Sequence, residues 1–257
     1  MKLTIIIPAK NEEKRIGRTL DSYLPFFQKK FKKDFKIFVV LNGCSDNTIG
    51  EIKKRQKKYS QLIFKDIKES IGKGRALIIG FQESKSELIG YVDADLSTPP
   101  EAYLDLVEHL TKFDGCIASR WIQGARVSPK QPFSRRVASR SFNVLVNVVL
   151  GLHVKDSQCG AKVFKAYALK HVLKDLHITN WAFDINLLYL LKLHGYHIKE
   201  IPTVWHDTLG SNLKLKKAST EMFFSVLRLR LLYSPLHDLV KVYDKMPEGW
   251  KLHHRIK

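Results

Sequence analysis

Hydrophobic residues in this chain come in short runs separated by longer amphipathic stretches. Leu3–Ile7 is a β-branched run, and Lys36–Leu41, Gln61–Phe64, Leu88–Val92 and Gly115–Ser119 repeat the pattern of a buried strand. Between them, Glu12–Phe27, about Asp46–Lys58, Gly74–Glu83 and Pro99–Leu110 have the pattern of helices. Strand and helix alternating across short connections predict an α/β fold with a parallel sheet covered by helices on both faces. The second half is less regular: helices are predicted over Ser134–Leu150, Phe183–Leu193 and Ala218–Tyr233, and a strand over 197–205 interrupted by Pro202. No internal repeat or low-complexity linker divides the chain. Ligands of such sheets bind beyond the carboxyl ends of the strands. Three polar segments fall there: PAKNEE (8–13), NGCSDNT (42–48) and DADLST (93–98).

The last of these poses the sharpest question. Side chains alternate along a strand, so Asp93 and Asp95 project to one side and repel each other unless a positive charge lies between them. Carboxylate oxygens suit a hard cation such as Mg2+ or Mn2+; the other reading is two acids facing water at a strand end. The adjacent TPPE explains only the turn. Thr98 is expected to cap the next helix, Pro99 and Pro100 to occupy its first turn, and Glu101 to complete a capping box.

Charge narrows the partners. The 257 residues carry a net charge of +19 with 44% hydrophobic content, a globular chain that calls for an anionic partner: nucleic acid, nucleotide or membrane surface. A nucleic-acid-binding module would interleave aromatic and basic residues in a recognisable motif, and none appears. Cys44, Cys116 and Cys159 are an odd, widely spaced set, which argues against a disulfide framework or zinc site and for a reducing compartment. The N-terminus MKLTIIIPAKNEE has too short an apolar run for a signal peptide. The run FNVLVNVVLGL (142–152) falls short of the ~20 residues a membrane span needs.

Seven segments in order, IIIPAKNEEKRIGRTL, VVLNGCSDNT, GKGRALIIG, YVDADLSTPPE, ASRWIQG, KDSQCGAKVFK and EIPTVW, together resemble the family 2 glycosyltransferases. Within that family they look like the enzymes that load a sugar onto dolichyl or another polyprenyl phosphate. The resemblance covers roughly residues 3 to 215. It implies a GT-A-like fold with a mixed, mostly parallel sheet, and an inverting hexosyltransferase that uses Mg2+ or Mn2+. Implied donors are UDP-glucose or GDP-mannose; DSQCG leans toward the glucosyl enzymes.

On the donor side, Pro8, Ala9, Asn11 and Glu12 leave the first strand where backbone N–H groups and a carboxylate can hold base and ribose; the plain alternative is a helix capped by Asn11. Asn42 and Gly43 stand near the place of an acid in the family, with Asp46 following, which leaves the nucleotide open. Lys73 of the Lys-Gly pair resembles a residue that faces the nucleotide. Asp93 and Ala94 adjoin the ribose, while Asp95, with Asp93 and Ser97, is expected to hold the metal that offsets the departing diphosphate.

On the acceptor side, Arg120 and the helical pair Arg135 and Ser139, four residues apart and so on one face, are the expected cradle for a lipid phosphate; Arg136 and Arg140 lie close by. Asp156 and Asp184 are the other placed acids. A sugar-hydroxyl acceptor would require one of them as a base, Asp184 being the candidate, whereas a phosphate monoester attacks as an anion. The expected layout is a transferase domain over 1–215 and a basic helical segment over 216–257. Basic runs (29–33, 53–58, 214–217) and the apolar stretch 223–243 suit either docking on the cytoplasmic face of a membrane or, for the helix, packing on its own domain. A membrane-embedded partner protein is the alternative route to the lipid.

Overall fold

Side chains alternate across the first two strands, and the alternation sorts them into two cores. In β1 (Leu3–Ala9), Leu3, Ile5, Ile7 and Ala9 pack on one face of the sheet and Ile6 on the other. In β2 (Phe35–Asn42), Ile37, Val39 and Leu41 join the first set, Phe38 and Val40 the second. The first core is closed by α1 (Glu13–Phe31), α2 (Thr48–Gln56) and α4 (Pro100–His109). The second is closed by α3 (Lys73–Glu83), α5 (Phe133–Leu150), α6 (Ala166–Val172), α7 (Phe183–Leu193) and α8 (Leu215–Leu232). This computed structural model describes residues 1–129, 132–176, 182–207 and 215–235, with backbone alone for 215–222. Of the basic segment expected over 216–257, residues 236–257 lie outside the described residues.

The main sheet also contains β3 (Leu62–Ile67), β4 (Leu88–Val92), β5 (Gly115–Ser119), β7 (Ala161–Lys165) and β8 (Ile198–Pro202), in the order β3-β2-β1-β4-β7-β5-β8. β3, β2, β1 and β4 run parallel, as does β8 beside β5. β7 is the exception, antiparallel to both β4 and β5. The strictly alternating expectation misses it because AKVFK carries Lys162 at a fully buried position, which spoils the apolar pattern. A second, two-stranded sheet pairs β6 (Arg126–Ser128) with β9 (Val204–His206). The strand expected over 197–205 is therefore two strands in two sheets, parted where Thr203 N–H turns to Ser119 O.

Two capping expectations fail. The position before α4 is Pro99, which has no side-chain oxygen, and Thr98 Oγ1 is buried without a partner. Asn11 does not cap α1; it sits at φ 55 and turns its Oδ1 to Ser45 N–H at 2.8 Å, leaving Glu12 as the cap residue. At the far end, Val226 and Leu229 of α8 are fully buried in the second core, and Arg230 donates to Tyr189 OH at 2.9 Å. The inner face of the C-terminal helix thus packs on its own domain, while Phe223, Phe224, Leu227 and Leu231 stay exposed.

Candidate active site

The carboxyl ends of β1, β2 and β4 lie side by side, and their loops are tied to one another. Glu12 N–H donates to Thr48 Oγ1 at 2.8 Å, and Asp46 accepts from Glu13 N–H and from the N–H and hydroxyl of Thr48. Burial alone would raise the Asp46 carboxyl, but these donors hold it below the ordinary aspartate value. Asp46 thus braces two helix starts. Asn42 likewise accepts from Ile71 N–H (2.6 Å) and Gly72 N–H (3.1 Å), which fixes the turn ahead of Lys73. Gly43 follows with φ +63, and a Cβ there would lie 2.8 Å from Ser70 N. The Asn-Gly pair in place of an acid is explained by this crossing of two loops.

Beyond β4, Thr19 Oγ1 donates to Ala94 O and Tyr23 OH to Thr98 O, pinning the loop to α1. Asp95 accepts from Ser97 N–H at 2.9 Å; Ser97 is buried, and its carbonyl accepts from His206 N–H. Asp93 N–H bonds to Gly160 O, continuing the β4–β7 ladder by one rung, and its carboxylate receives Lys73 Nζ at 2.5 Å. Burial opposes the Lys73 charge, but Asp93, Asp184 and Asp95 outweigh it and raise its pKa. Burial likewise raises Glu12 above its ordinary value despite Arg15, and Asp95 and Asp93 push it the same way. Pro8 and Ala9 end β1 just ahead of Glu12, which grips Arg15 through both carboxylate oxygens.

Among the described residues no cluster of three or more His, Cys, Asp or Glu forms a metal site from protein alone. Two carboxylates completed by substrate phosphate and water are a donor set that Mg2+ or Mn2+ accepts. The residues present fit such a cation.

On the other wall, Arg120 is already engaged. Its Nε and Nη2 donate to Asp156 at 2.7 and 2.9 Å, and its guanidinium lies 4.8 Å from the Trp205 ring. Burial works against its charge, yet Asp156 raises its pKa. Glu200 accepts from Lys155 and Asp156 N–H, and Asn143 accepts from Ser157, so the 155–157 turn is clamped from β8 and from α5. A cavity of about 300 Å³ beside Arg120 is lined by Trp121, Ile122, Val127, Arg136 and Arg140. The sequence-predicted pair Arg135 and Ser139 lies off this lining: Arg135 pairs with Asp207 at 3.7 Å, and the Ser139 carbonyl accepts from Asn143. The helix presents Arg136 and Arg140 instead, Arg140 lying 5.3 Å from the Trp121 ring.

Asp184 is buried, accepting from Lys162 Nζ at 2.6 Å and from Tyr91 OH. Burial alone would raise its pKa; Lys162, Lys73 and these hydrogen bonds bring it below the ordinary value. That is the environment of an anchor, not of a base open to substrate. Lys162 also donates to Cys159 O, holding the turn whose Gly160 packs against Asp93. A Cβ on Gly160 would lie 1.8 Å from Asp93 Oδ2. Neither Lys162 nor Gly160 has a sequence signal of its own, beyond the position of both in the KDSQCGAKVFK segment.

A sheet whose carboxyl edge gathers two strand-end acids, a lysine and tied loops defines an α/β glycosyltransferase of the GT-A type. The chain belongs to glycosyltransferase family 2, whose profile, described as "Glycosyl transferase family 2", matches residues 4–173. It is 29% identical over 243 residues to dolichyl-phosphate beta-glucosyltransferase of Dictyostelium discoideum, covering 90% of this chain and 74% of that protein. The Homo sapiens protein of the same name is 28% identical over 246 residues, covering 90% and 76%. Among solved structures, glucosyl-3-phosphoglycerate synthase from Mycobacterium tuberculosis in complex with uridine-diphosphate superposes with a TM-score of 0.64 at 18% identity, over 90% of this chain and 79% of that one. A mannosyltransferase from Pyrobaculum calidifontis in complex with GDP-Man and Mn2+ gives 0.63 at 17%, over 99% and 68%.

Proposed function

We propose that the protein transfers glucose from UDP-glucose to dolichyl phosphate or a similar polyprenyl phosphate, with inversion at the anomeric carbon. The observation that carries this reading is the turn 156–160, which is shared by both walls. Asp156 holds Arg120 at the arginine-lined cavity, and Gly160 packs on Asp93 at the acid edge. Donor diphosphate and acceptor phosphate would then meet across one short segment. The relatives named for glucosyl transfer favour glucose over mannose.

In this reading Asp93 and Asp95 would hold the Mg2+ or Mn2+, and Lys73 would approach the diphosphate. A bound divalent cation supplies counter-charge for the departing nucleoside diphosphate. Arg120, Arg136 and Arg140 orient the acceptor phosphate. One of its oxygens, already anionic, forms the new bond to the anomeric carbon as the bond to the diphosphate breaks. No residue has to take a proton, which agrees with the buried, paired state of Asp184. Transfer to a sugar hydroxyl would need a base that Asp184 is badly placed to be.

Among the described residues no helix is long and apolar enough to cross a membrane. α5 exposes Phe133, Val144 and Val148, and α8 packs beside it with Phe223 and Phe224 exposed. We read this outer face as the surface that meets the cytoplasmic side of the bilayer holding the lipid substrate. The test is incubation with radiolabelled UDP-glucose or GDP-mannose and dolichyl phosphate, followed by lipid extraction. Label from UDP-glucose should enter the organic phase only when dolichyl phosphate is present. Label on a soluble sugar acceptor with none in lipid would overturn the reading.

A further inference from the structure

Lys73 opens α3, and its start is fixed by Asn42 through the two N–H groups just ahead of it. Its ammonium reaches Asp93 Oδ1 at 2.5 Å, with the side chains of Lys73 and Asp93 44% and 32% exposed. The pair is open to the cleft, unlike Lys162–Asp184, whose lysine is fully buried. The ring of Tyr91 lies 5.9 Å from Lys73 Nζ and 5.4 Å from Lys162 Nζ, so both ammonium groups lie near one ring. The pair is only partly covered, and a diphosphate offers Lys73 more negative charge than one carboxylate does. Lys73 therefore already sets a positive charge against the Asp93 carboxylate.

We propose that Lys73 is an internal substitute for the divalent cation, covering Asp93 until a donor binds and then turning to its diphosphate. Asp93 becomes available as a metal ligand only then, so nucleotide and cation load together. This rests on the reading of Asp93 and Asp95 as metal ligands.

The experiment measures Mn2+ binding to the full chain by electron paramagnetic resonance, with and without uridine diphosphate. In the wild type, the nucleotide should tighten Mn2+ binding by about tenfold or more, within the usual range of coupling between sites. Lys73→Met should bind Mn2+ about tenfold tighter than wild type without nucleotide and lose most of the coupling. Lys10→Met is the control, because Lys10 Nζ bonds to Ser70 Oγ and does not touch Asp93. Equal tightening in Lys10→Met would reduce the effect to general charge and overturn the inference. Unchanged nucleotide-free affinity in Lys73→Met, with wild-type coupling intact, overturns it while leaving the proposed transfer standing. Absence of Mn2+ binding by the wild type even with nucleotide overturns both this inference and the metal reading. Circular dichroism melts of each variant establish that the fold is retained; the partly exposed side chain of Lys73 is not part of either core.

Discussion

On the donor wall, loops are held by hydrogen bonds between side chains and backbone: Asn42 to Ile71 and Gly72, Asn11 to Ser45, Asp46 to Glu13 and Thr48. On the acceptor wall, the braces are ion pairs out of water: Arg120 with Asp156, which is 0% exposed, and Lys162 with Asp184. The donor side can exchange partners when a nucleotide arrives, each tether being worth little alone. The acceptor side is preset, and removing one charge strands another. Function and stability should therefore separate on the first wall and travel together on the second.

The largest effect should follow from breaking the second wall. Asp156→Ala leaves Arg120 buried without its partner and should destabilise the fold by ~3–5 kcal/mol. Arg120→Ala should do the same while also raising the Michaelis constant for lipid phosphate. Urea unfolding of both singles and the double should give a double loss well below the sum. Strictly additive losses would dissolve the contrast between the walls.

Asp95→Ala tests the first wall. It should lower kcat by about 10²–10³, as loss of a group that stabilises developing charge does, with almost no change in melting temperature. A large fall in melting temperature with kcat preserved would reverse the assignment. Gly160→Ala sits between the two, since its Cβ would meet Asp93. Overpacking there should destabilise by ~1–3 kcal/mol and weaken Mn2+ binding in the presence of nucleotide.

The smallest effect concerns pH. Asp184 has a lowered folded pKa, so its contribution is fully present above the unfolded aspartate value of about 3.9 and is lost as pH falls through the lower folded value. Unfolding free energies measured from pH 7 down to 3 should show a steeper acid loss in the wild type than in Asp184→Asn. Parallel curves would mean that the pair with Lys162 does not hold the carboxylate.

The two walls also differed in how far they could be read from the residues. Asp93 and Asp95 directly follow an apolar strand, and their place at its carboxyl end could be read from the sequence, although Asp95 lies in the turn beyond the strand where alternation no longer applies. The βα order of the first four strands was equally plain, because β1, β2 and β4 bury both faces with apolar side chains and the edge strand β3 still opens on the apolar run Leu62–Phe64. The acceptor wall hid for three reasons. Lys162 disguises β7 as something other than a core strand, since a buried ion pair is invisible until its partner Asp184 is placed. Arg135–Ser139 and Arg136–Arg140 are both four apart on α5, and spacing cannot choose which pair faces the cavity. The segment around Arg120 does not reveal its bond to Asp156, which depends on a turn set by Glu200 and Asn143.

The antiparallel strand has one more consequence, in the order in which a growing chain can fold. β4 leaves its second edge bare until residues 161–165 are made, because β7, not β5, is its neighbour. Strands β1 to β4 can pair with one another once residue 92 is made, since β3-β2-β1-β4 are contiguous in the sheet. The rung from Asp93 N–H to Gly160 O closes only some seventy residues later, a span set by these positions. An arrested nascent chain ending before Gly160 would thus carry the acids on an unfinished edge. Competence to bind the cation should arise late in synthesis, after most of the first core has formed.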